Sequence, residues 1–371
     1  AAWNLHNEDF LAGGMFNSLK LRAGWGQTGN QAFPAGASQE RYYLTEQRSD
    51  LENVANPDLK WETTTTMNFG LDFAILDYKV SGSVEYFNRT SEDLLFQFPT
   101  IQPAPAAFYW INLPGEVINK GVEVTLNADI INAGDLRWDV GLNAAFISNV
   151  LENYTGPVLD YATLFGQGIS EAPSQRLVNG QPLNSFYLRE FTGIGENGQS
   201  EYANNGDRAF VGDPNPDVLL GISTSVTKGA WNFGMNFNGA LGHQIYNNTK
   251  NTVIPIGNLG SRNIDASLLE SSNKEAISNP VAGSDRYLED GSYLKLANAT
   301  LGYNIGNLGN NVRNARVYVT GNNLLVFTGY SGFDPEVNTV NTNATGLPSA
   351  GIEYIPYPSA RSVIFGLNFS F

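Results

Sequence analysis

Apolar and polar side chains alternate one for one along this chain, in stretches of about ten residues that recur from end to end. Trp61, Thr63, Thr65, Met67, Phe69, Leu71 and Phe73 form one set, and Glu62, Thr64, Thr66, Asn68, Gly70 and Asp72 the other. Successive side chains of an extended strand point to opposite sides, so this stretch has one apolar and one polar face. After a turn at Asp77 the pattern resumes with Tyr78, Val80, Gly82, Val84 and Tyr86 against Lys79, Ser81, Ser83 and Glu85, which makes a hairpin. Val122, Val124, Leu126, Ala128 and Ile130 begin another, returning beyond Asn132-Ala133-Gly134 through Leu136, Trp138, Val140, Leu142, Ala144 and Phe146. Further pairs fall at 218–226 with 231–245 and at 293–305 with 315–319. A first strand at 17–29 and a last at 361–371 bring the expected number to ten.

Strand length narrows the fold class. Strands in soluble sheets most often have about five to six residues, whereas a tilted strand needs about 9 to 11 to cross a bilayer. A sheet can cross hydrocarbon only as a closed barrel, which leaves no unpaired edge. The connections carry a second signal, because short and long ones alternate. Short turns are expected at 75–77, 132–134, 228–229 and 306–312; between them lie 30–59, 91–117, 150–216, 246–291 and 327–359, roughly 25 to 70 residues each. Most loops in compact domains have about 4 to 6 residues. Short turns on one rim and long loops on the other are the pattern of bacterial outer-membrane barrels. Trp61, Phe73, Tyr78, Tyr86, Trp138, Trp231, Tyr293 and Tyr303 are expected near strand ends on the apolar face, as an aromatic girdle. A soluble β-sandwich gives the same alternation, but its strands are shorter and its loops do not alternate in length.

Composition agrees with a surface that does not face water everywhere. Only 15% of the 371 residues are charged, against about 25% in soluble domains, and 12% are aromatic. Cysteine is absent, which removes disulfide scaffolds and cysteine-based zinc sites. A net charge of -15 excludes nucleic acid as a partner, since phosphates require the opposite sign. The longest apolar run, 106–111, is far short of the roughly 18 residues of a spanning helix. The sequence begins at Ala1 with no charged n-region and no apolar h-region, so an addressing segment is expected either to have been removed or to lie upstream.

Candidate sites are few, and no catalytic residue, metal ligand set or cofactor motif is expected. His6 and His243 lie far apart, and His243 reads as a rim residue. Glu92-Asp93 is an acidic pair without a recognised partner. Asp213, Asn215 and Asp217 have the spacing that opens a calcium loop, but Pro216, Val218 and Thr224 depart from the rest of that pattern, which favours a plain turn. Phe108-Tyr109-Trp110, after Pro103 and Pro105, sits in a long connection. Such a run either stacks on sugar or protein, or pins its own loop. The polar strand faces describe a wet lumen.

Several segments carry a family resemblance. They are Ser18-Leu19-Lys20-Leu21-Arg22-Ala23-Gly24-Trp25-Gly26-Gln27-Thr28-Gly29-Asn30, Asn56-Pro57-Asp58-Leu59-Lys60-Trp61-Glu62-Thr63, Asn119-Lys120-Gly121-Val122-Glu123-Val124 and Gly212-Asp213-Pro214-Asn215-Pro216-Asp217. Later come Leu288-Glu289-Asp290-Gly291-Ser292-Tyr293-Leu294-Lys295-Leu296, Asn322-Asn323-Leu324-Leu325, Gly332-Phe333-Asp334-Pro335-Glu336-Val337, Tyr357-Pro358 and the terminal Phe371. In this order they resemble the C-terminal part of a SusC/RagA-type TonB-linked outer-membrane transporter. The resemblance implies an all-β fold, an antiparallel transmembrane β-barrel of which residues 1–371 form one segment. About ten strands of a barrel of about 22 are expected here, with plug domain and N-terminal strands outside this chain. It also implies import of a bulky nutrient, glycan or peptide, across the bacterial outer membrane, with no cofactor. A SusD-like surface lipoprotein would cap the long-loop rim, TonB would act through the N-terminal region, and outer-membrane lipid would surround the wall. Phe108, Tyr109, Trp110, Asp334 and Glu336, all in long connections, are the candidate contacts for substrate or lipoprotein. The terminal Phe371 implies that the short turns are periplasmic. A passive porin-like channel and a soluble carbohydrate-binding β protein are the alternatives.

Overall fold

Eleven strands form one antiparallel sheet: β1 (Ala2–Asn4), β2 (Phe16–Asn30), β3 (Glu62–Ile75), β4 (Val80–Glu92), β5 (Glu116–Ala133), β6 (Leu136–Glu152), β7 (Val218–Lys228), β8 (Trp231–Leu241), β9 (Tyr293–Leu308), β10 (Val312–Thr328) and β11 (Ser362–Ser370). Each pairs with the next in sequence, and β1 and β11 are the two edges. This computed structural model describes every residue except 12–13, 32–34, 45–47, 101–102, 107, 167–168, 170–171, 271–273, 310–311, 337 and 340–346. All ten expected strands are present. The eleventh, β1, is three residues long, too short to show alternation.

The register turns sequence alternation into rows. Directly opposed residues share a face, so pairing can be followed across the whole wall. Leu21, Leu71, Val84, Val124, Ala144, Leu220, Gly239 and Leu294 stand opposite one another from β2 to β9. One position along, the row is Lys20, Asp72, Ser83, Thr125, Asn143, Gly221, Asn238 and Lys295. A slip of one residue at any strand would exchange the two rows, which is why burial of one face and wetting of the other fixes the register. Trp25, Phe69, Tyr86, Phe146 and Phe365 all lie exposed on the apolar face, far more contiguous apolar surface than a water-facing sheet tolerates. On the polar face the Arg22 guanidinium meets Asp72 at 2.8 Å and Glu85 at 2.9 Å. Thr125 donates to Asn143 at 3.1 Å, and Asn236 to Asn298 at 2.8 Å.

Two strand glycines let arginines lie across the sheet. Arg22 in β2 reaches Glu85 in β4 by passing over Gly70 of β3, where an added Cβ would stand 2.9 Å from Nη2. Arg316 of β10 passes over Gly302 of β9 to donate to Asn232 of β8 at 2.6 Å. Glycine inside a strand marks such close approach.

Four expectations are corrected. The strand read as 231–245 ends at Leu241, because Gly242 (φ +87°) turns the chain, with the Asp217 carboxylate where a Cβ would sit. Gln244–Asn247 then joins a separate small sheet with Leu288–Asp290 and Ile352–Glu353. Tyr293 does not belong to the apolar girdle. The registers of β9 with both neighbours skip Ala297, a bulge that reverses which parity faces which side, so Tyr293 points to the polar face and donates to Glu336 at 3.1 Å. Trp61 precedes β3 and Tyr78 lies in the following turn at φ +62°, so both sit at the rims rather than within strands. The strand read as 315–319 runs the full length of β10, and of the turn expected at 306–312, residues 310–311 lie outside the described residues.

If the apolar face meets lipid near the midplane, Leu142→Arg should cost about 2–4 kcal/mol of barrel stability. Asn143→Arg, one position along on the polar face, should cost far less. Heat-modifiable gel mobility reads both, and equal loss of folded barrel for the two variants would contradict the facing.

Candidate functional site

The sheet has no dry core of its own; the long connections supply one. Within 153–217 a four-stranded sheet runs in the order Leu159–Leu164, Ala172–Leu177, Phe186–Arg189, Arg208–Gly212. Its inner face, with the sheet built on Gln244–Asn247, surrounds Tyr161, Leu164, Leu177, Phe186, Leu188, Tyr246 and Ile352. Phe96, Leu113, Val117, Leu151 and Tyr154 extend this cluster to the strand ends of the wall. Four connections, 93–115, 153–217, 242–292 and 329–361, thus pack into one lobe on a single rim. Burying a large side chain such as Phe186 contributes about 1.5–3 kcal/mol.

Segments that carried the family resemblance act here as fasteners. Asn56 donates to the Trp110 carbonyl at 2.8 Å and accepts from the Asp58 amide. Gly212 is required because the Gln244 side chain occupies its Cβ direction, and Asp213 accepts from the Asn215 amide at 2.9 Å. Asp213 therefore closes a turn, as the plain-turn reading expected, while Asn215 donates to the Leu183 carbonyl at 2.8 Å. Asp290 closes an equivalent turn on Ser292, whose amide and hydroxyl hold its carboxyl below the ordinary range. Burial pushes the Glu289 carboxyl up, but the Ser331 amide and hydroxyl and the Lys250 ammonium outweigh it and hold the group below its usual range.

Asp334 and Glu336 tie the last connection to the wall. Lys295, from the polar row of β9, forms an ion pair with Glu336 and lies 3.9 Å from Asp334. Asn238 of β8 donates to Glu336 at 2.7 Å, and Ser359 to Asp334 at 2.5 Å. Lys295 and Asp334 are nearly fully buried, whereas Glu336 keeps about a third of its side chain open. Asp334 is thus a positioning residue, and Glu336 is the one of the two with a free edge. Val337, the end of that motif, lies outside the described residues.

Phe108–Asn112 is a strand, paired with Leu95–Pro99 in a hairpin within its connection. The Tyr109 ring meets Phe98 edge-on at 5.8 Å, and Phe98 meets Phe96 at 6.2 Å. Asn112 bridges Lys60 and Asp93 through their carbonyls. Tyr109 and Trp110 are half-buried, so Tyr109 helps pin the loop while ring surface stays at the rim, and the Phe108 side chain lies outside the described residues. Sequence reasoning missed Glu275, which is buried and holds Arg286 at 2.7 Å. Burial pushes its carboxyl up, but Arg286 and Asn279 outweigh that and hold it below the usual carboxylate range. His243 lies outside the strand, buried against Tyr293, and burial lowers its imidazole, with Asp290 and Asp213 offsetting part of the effect. Among the described residues no cluster of three or more metal-ligating side chains occurs.

Two outcomes follow from the geometry. Lys295→Met leaves Asp334 buried without its cation, a loss of about 3–5 kcal/mol in the anchoring of 329–361, and proteolysis within that segment should accelerate while barrel mobility on gels stays unchanged. The Glu275–Arg286 pair, with its acid depressed, contributes in full above the ordinary Glu range and is lost as pH falls through and below it. Amide protection around 274–287, taken relative to the intrinsic exchange rate at each pH, should therefore fall on acidification, and Glu275→Gln should remove that dependence.

Comparison with known proteins agrees with the architecture. The family model "TonB dependent receptor-like, beta-barrel" matches residues 12–324. TonB-dependent receptor P3 of Formosa agariphila is 29% identical over an alignment of 424 positions, gaps included, covering 100% of this chain and 41% of the relative. TonB-dependent receptor SusC of Bacteroides thetaiotaomicron is 27% identical over 413, covering 100% and 39%. This chain therefore spans about two fifths of the length of these relatives. The solved structure of the RagAB peptide transporter shares the fold at a TM-score of 0.82 and 24% identity, covering 100% of this chain and 43% of that one. The chain belongs to the TonB dependent receptor-like β-barrel family, as an outer-membrane barrel segment of the SusC/RagA type.

Proposed function

We propose that the chain forms part of the wall and the outer lobe of an active importer of a bulky nutrient, glycan or peptide. The observation that carries this reading is the lobe: four long connections share a core and are fastened to the polar face of the wall through Lys295, Asp334 and Glu336. Closing hairpins requires no such construction, and long ordered loops are generally retained for binding or as lids. A passive channel gains nothing from it. Glu336, Tyr109 and Trp110 border the lobe's accessible surface, with Phe108 in the same strand, while Asp334 holds the loop that presents Glu336. A SusD-like surface lipoprotein covers the long-loop rim, and TonB acts through the plug-bearing N-terminal part of the full-length protein. The import itself breaks and forms no covalent bond, so the chain needs to bind, orient and release rather than catalyse.

The test is growth on a limiting nutrient with and without TonB, together with co-purification of a lipoprotein from detergent extracts. The reading predicts that uptake stops without TonB and that a lipoprotein accompanies the intact protein. Uptake that persists without TonB, with no accompanying lipoprotein, would establish a passive channel instead.

A further inference from the structure

The outer face of the four-stranded lobe sheet carries an arrangement that folding alone does not account for. Arg189 and Arg208 stand directly opposite each other in an antiparallel pair. Like charges in that position destabilise a sheet. Arg176 lies on the same face, stacked on the Tyr187 ring with its guanidinium carbon 3.6 Å from the centroid; that of Arg208 is 5.2 Å away. One carboxylate, Asp160, serves two of the three cations, Arg176 at 2.5 Å and Arg208 at 2.7 Å. Arg189 is exposed, and among the described residues it forms no ion pair. The chain as a whole has 36 acids and 21 Lys and Arg, so a cation without an ion-pair partner runs against composition.

Beside the pair opens a cavity of about 360 Å³, lined by Arg189, Arg208 and the aliphatic surface of Pro173, Val281, Ala282 and Gly283. Its size lies at the small end of the range for ligand sites, roughly 300–1,000 Å³. Arg208 is held in place by Asp160 and by its bond to the Pro173 carbonyl at 3.2 Å, whereas Arg189 is tethered only by its approach to the Tyr202 ring at 5.6 Å. A fixed guanidinium beside an adjustable one suits a planar carboxylate, which can take two parallel N–H bonds from the free Arg189 fork and a further one from Arg208. Acids outnumber Lys and Arg by 36 to 21 in this chain, so a face with three clustered arginines is a local exception that draws an acidic ligand.

We infer that Arg189 and Arg208 form a carboxylate-binding subsite in the lobe, and that the imported oligomer carries an acidic group. This rests on the reading of the lobe as an importer's receptor surface. Uronic acid residues of a glycan and acidic side chains of a peptide present the same carboxylate, so the source is left to the probes. The full-length transporter with its lipoprotein, purified in detergent, is titrated calorimetrically with trigalacturonate, triglutamate, maltotriose and triglycine. One acidic probe should bind at least ten-fold more tightly than its neutral counterpart, and which one identifies the source. Raising salt should weaken that binding, Arg189→Gln should weaken it at least ten-fold, and Arg189→Lys should restore part of it. Arg189 is exposed, so its replacement leaves folding intact and a loss is interpretable. Equal binding of acidic and neutral probes, no binding of either acid, or an unchanged affinity in Arg189→Gln would overturn the inference. So would loss of the lipoprotein from Arg189→Gln with acid binding retained, which would assign the pair to a protein contact. Binding in detergent needs no TonB, so this result is independent of whether uptake does.

Discussion

A sheet that crosses lipid must satisfy every backbone N–H and C=O within itself while dividing its side chains between hydrocarbon and water. That constraint governs this chain. The strands are long because the bilayer is thick, and they follow one another in space because hairpins are the shortest way to pair each new strand. Their register is fixed because one slip would put Lys20, Asp72 and Lys295 into lipid. The exceptions are equally physical. Gly70 and Gly302 give up side chains so that Arg22 and Arg316 can lie flat across a neighbour and find partners two strands away.

A wall with one face in lipid and one in water cannot bury a core between layers, so compact packing moves to the connections. There Tyr161, Phe186, Leu188 and Tyr246 are nearly inaccessible to solvent, while Trp25 and Phe365 on the strands are open. Wall and lobe also differ in how they hold charge. The wall pairs acids and bases along polar rows, and Lys295 carries that row to the lobe, where it meets Asp334 and Glu336. Loop fastening and strand register thus meet at the mouth of the sheet.

The strands were legible because period two survives in sequence wherever each residue has one solvent and no other. Ala297 broke that legibility: a bulge leaves no local composition signal, and only the pairing with Phe237 and Asn236 shows that parity reverses before Tyr293. Lobe strands were not legible, since pieces of two to six residues buried by tertiary contacts show no alternation of their own. Motif segments announced the family, yet their role in fastening became visible only when Asn56 was found bonded to the Trp110 carbonyl and Gly212 against Gln244. The aromatic run and Asp334-Glu336 were legible as residues of interest. The Arg189–Arg208 pair was not, because their opposition depends on a register between strands 19 residues apart in number.

An importer's receptor lobe must face the cell exterior, with the short turns in the periplasm. Single cysteines at Glu201, in the lobe, and at Asp135, in the turn between β5 and β6, measure this most directly, since residues 1–371 contain no cysteine of their own. On intact cells a membrane-impermeant maleimide should label Glu201→Cys and should label Asp135→Cys only after the outer membrane is opened. Labelling of Asp135→Cys on intact cells, with Glu201→Cys protected, would contradict the topology and with it the assignment of the lobe as the receptor surface.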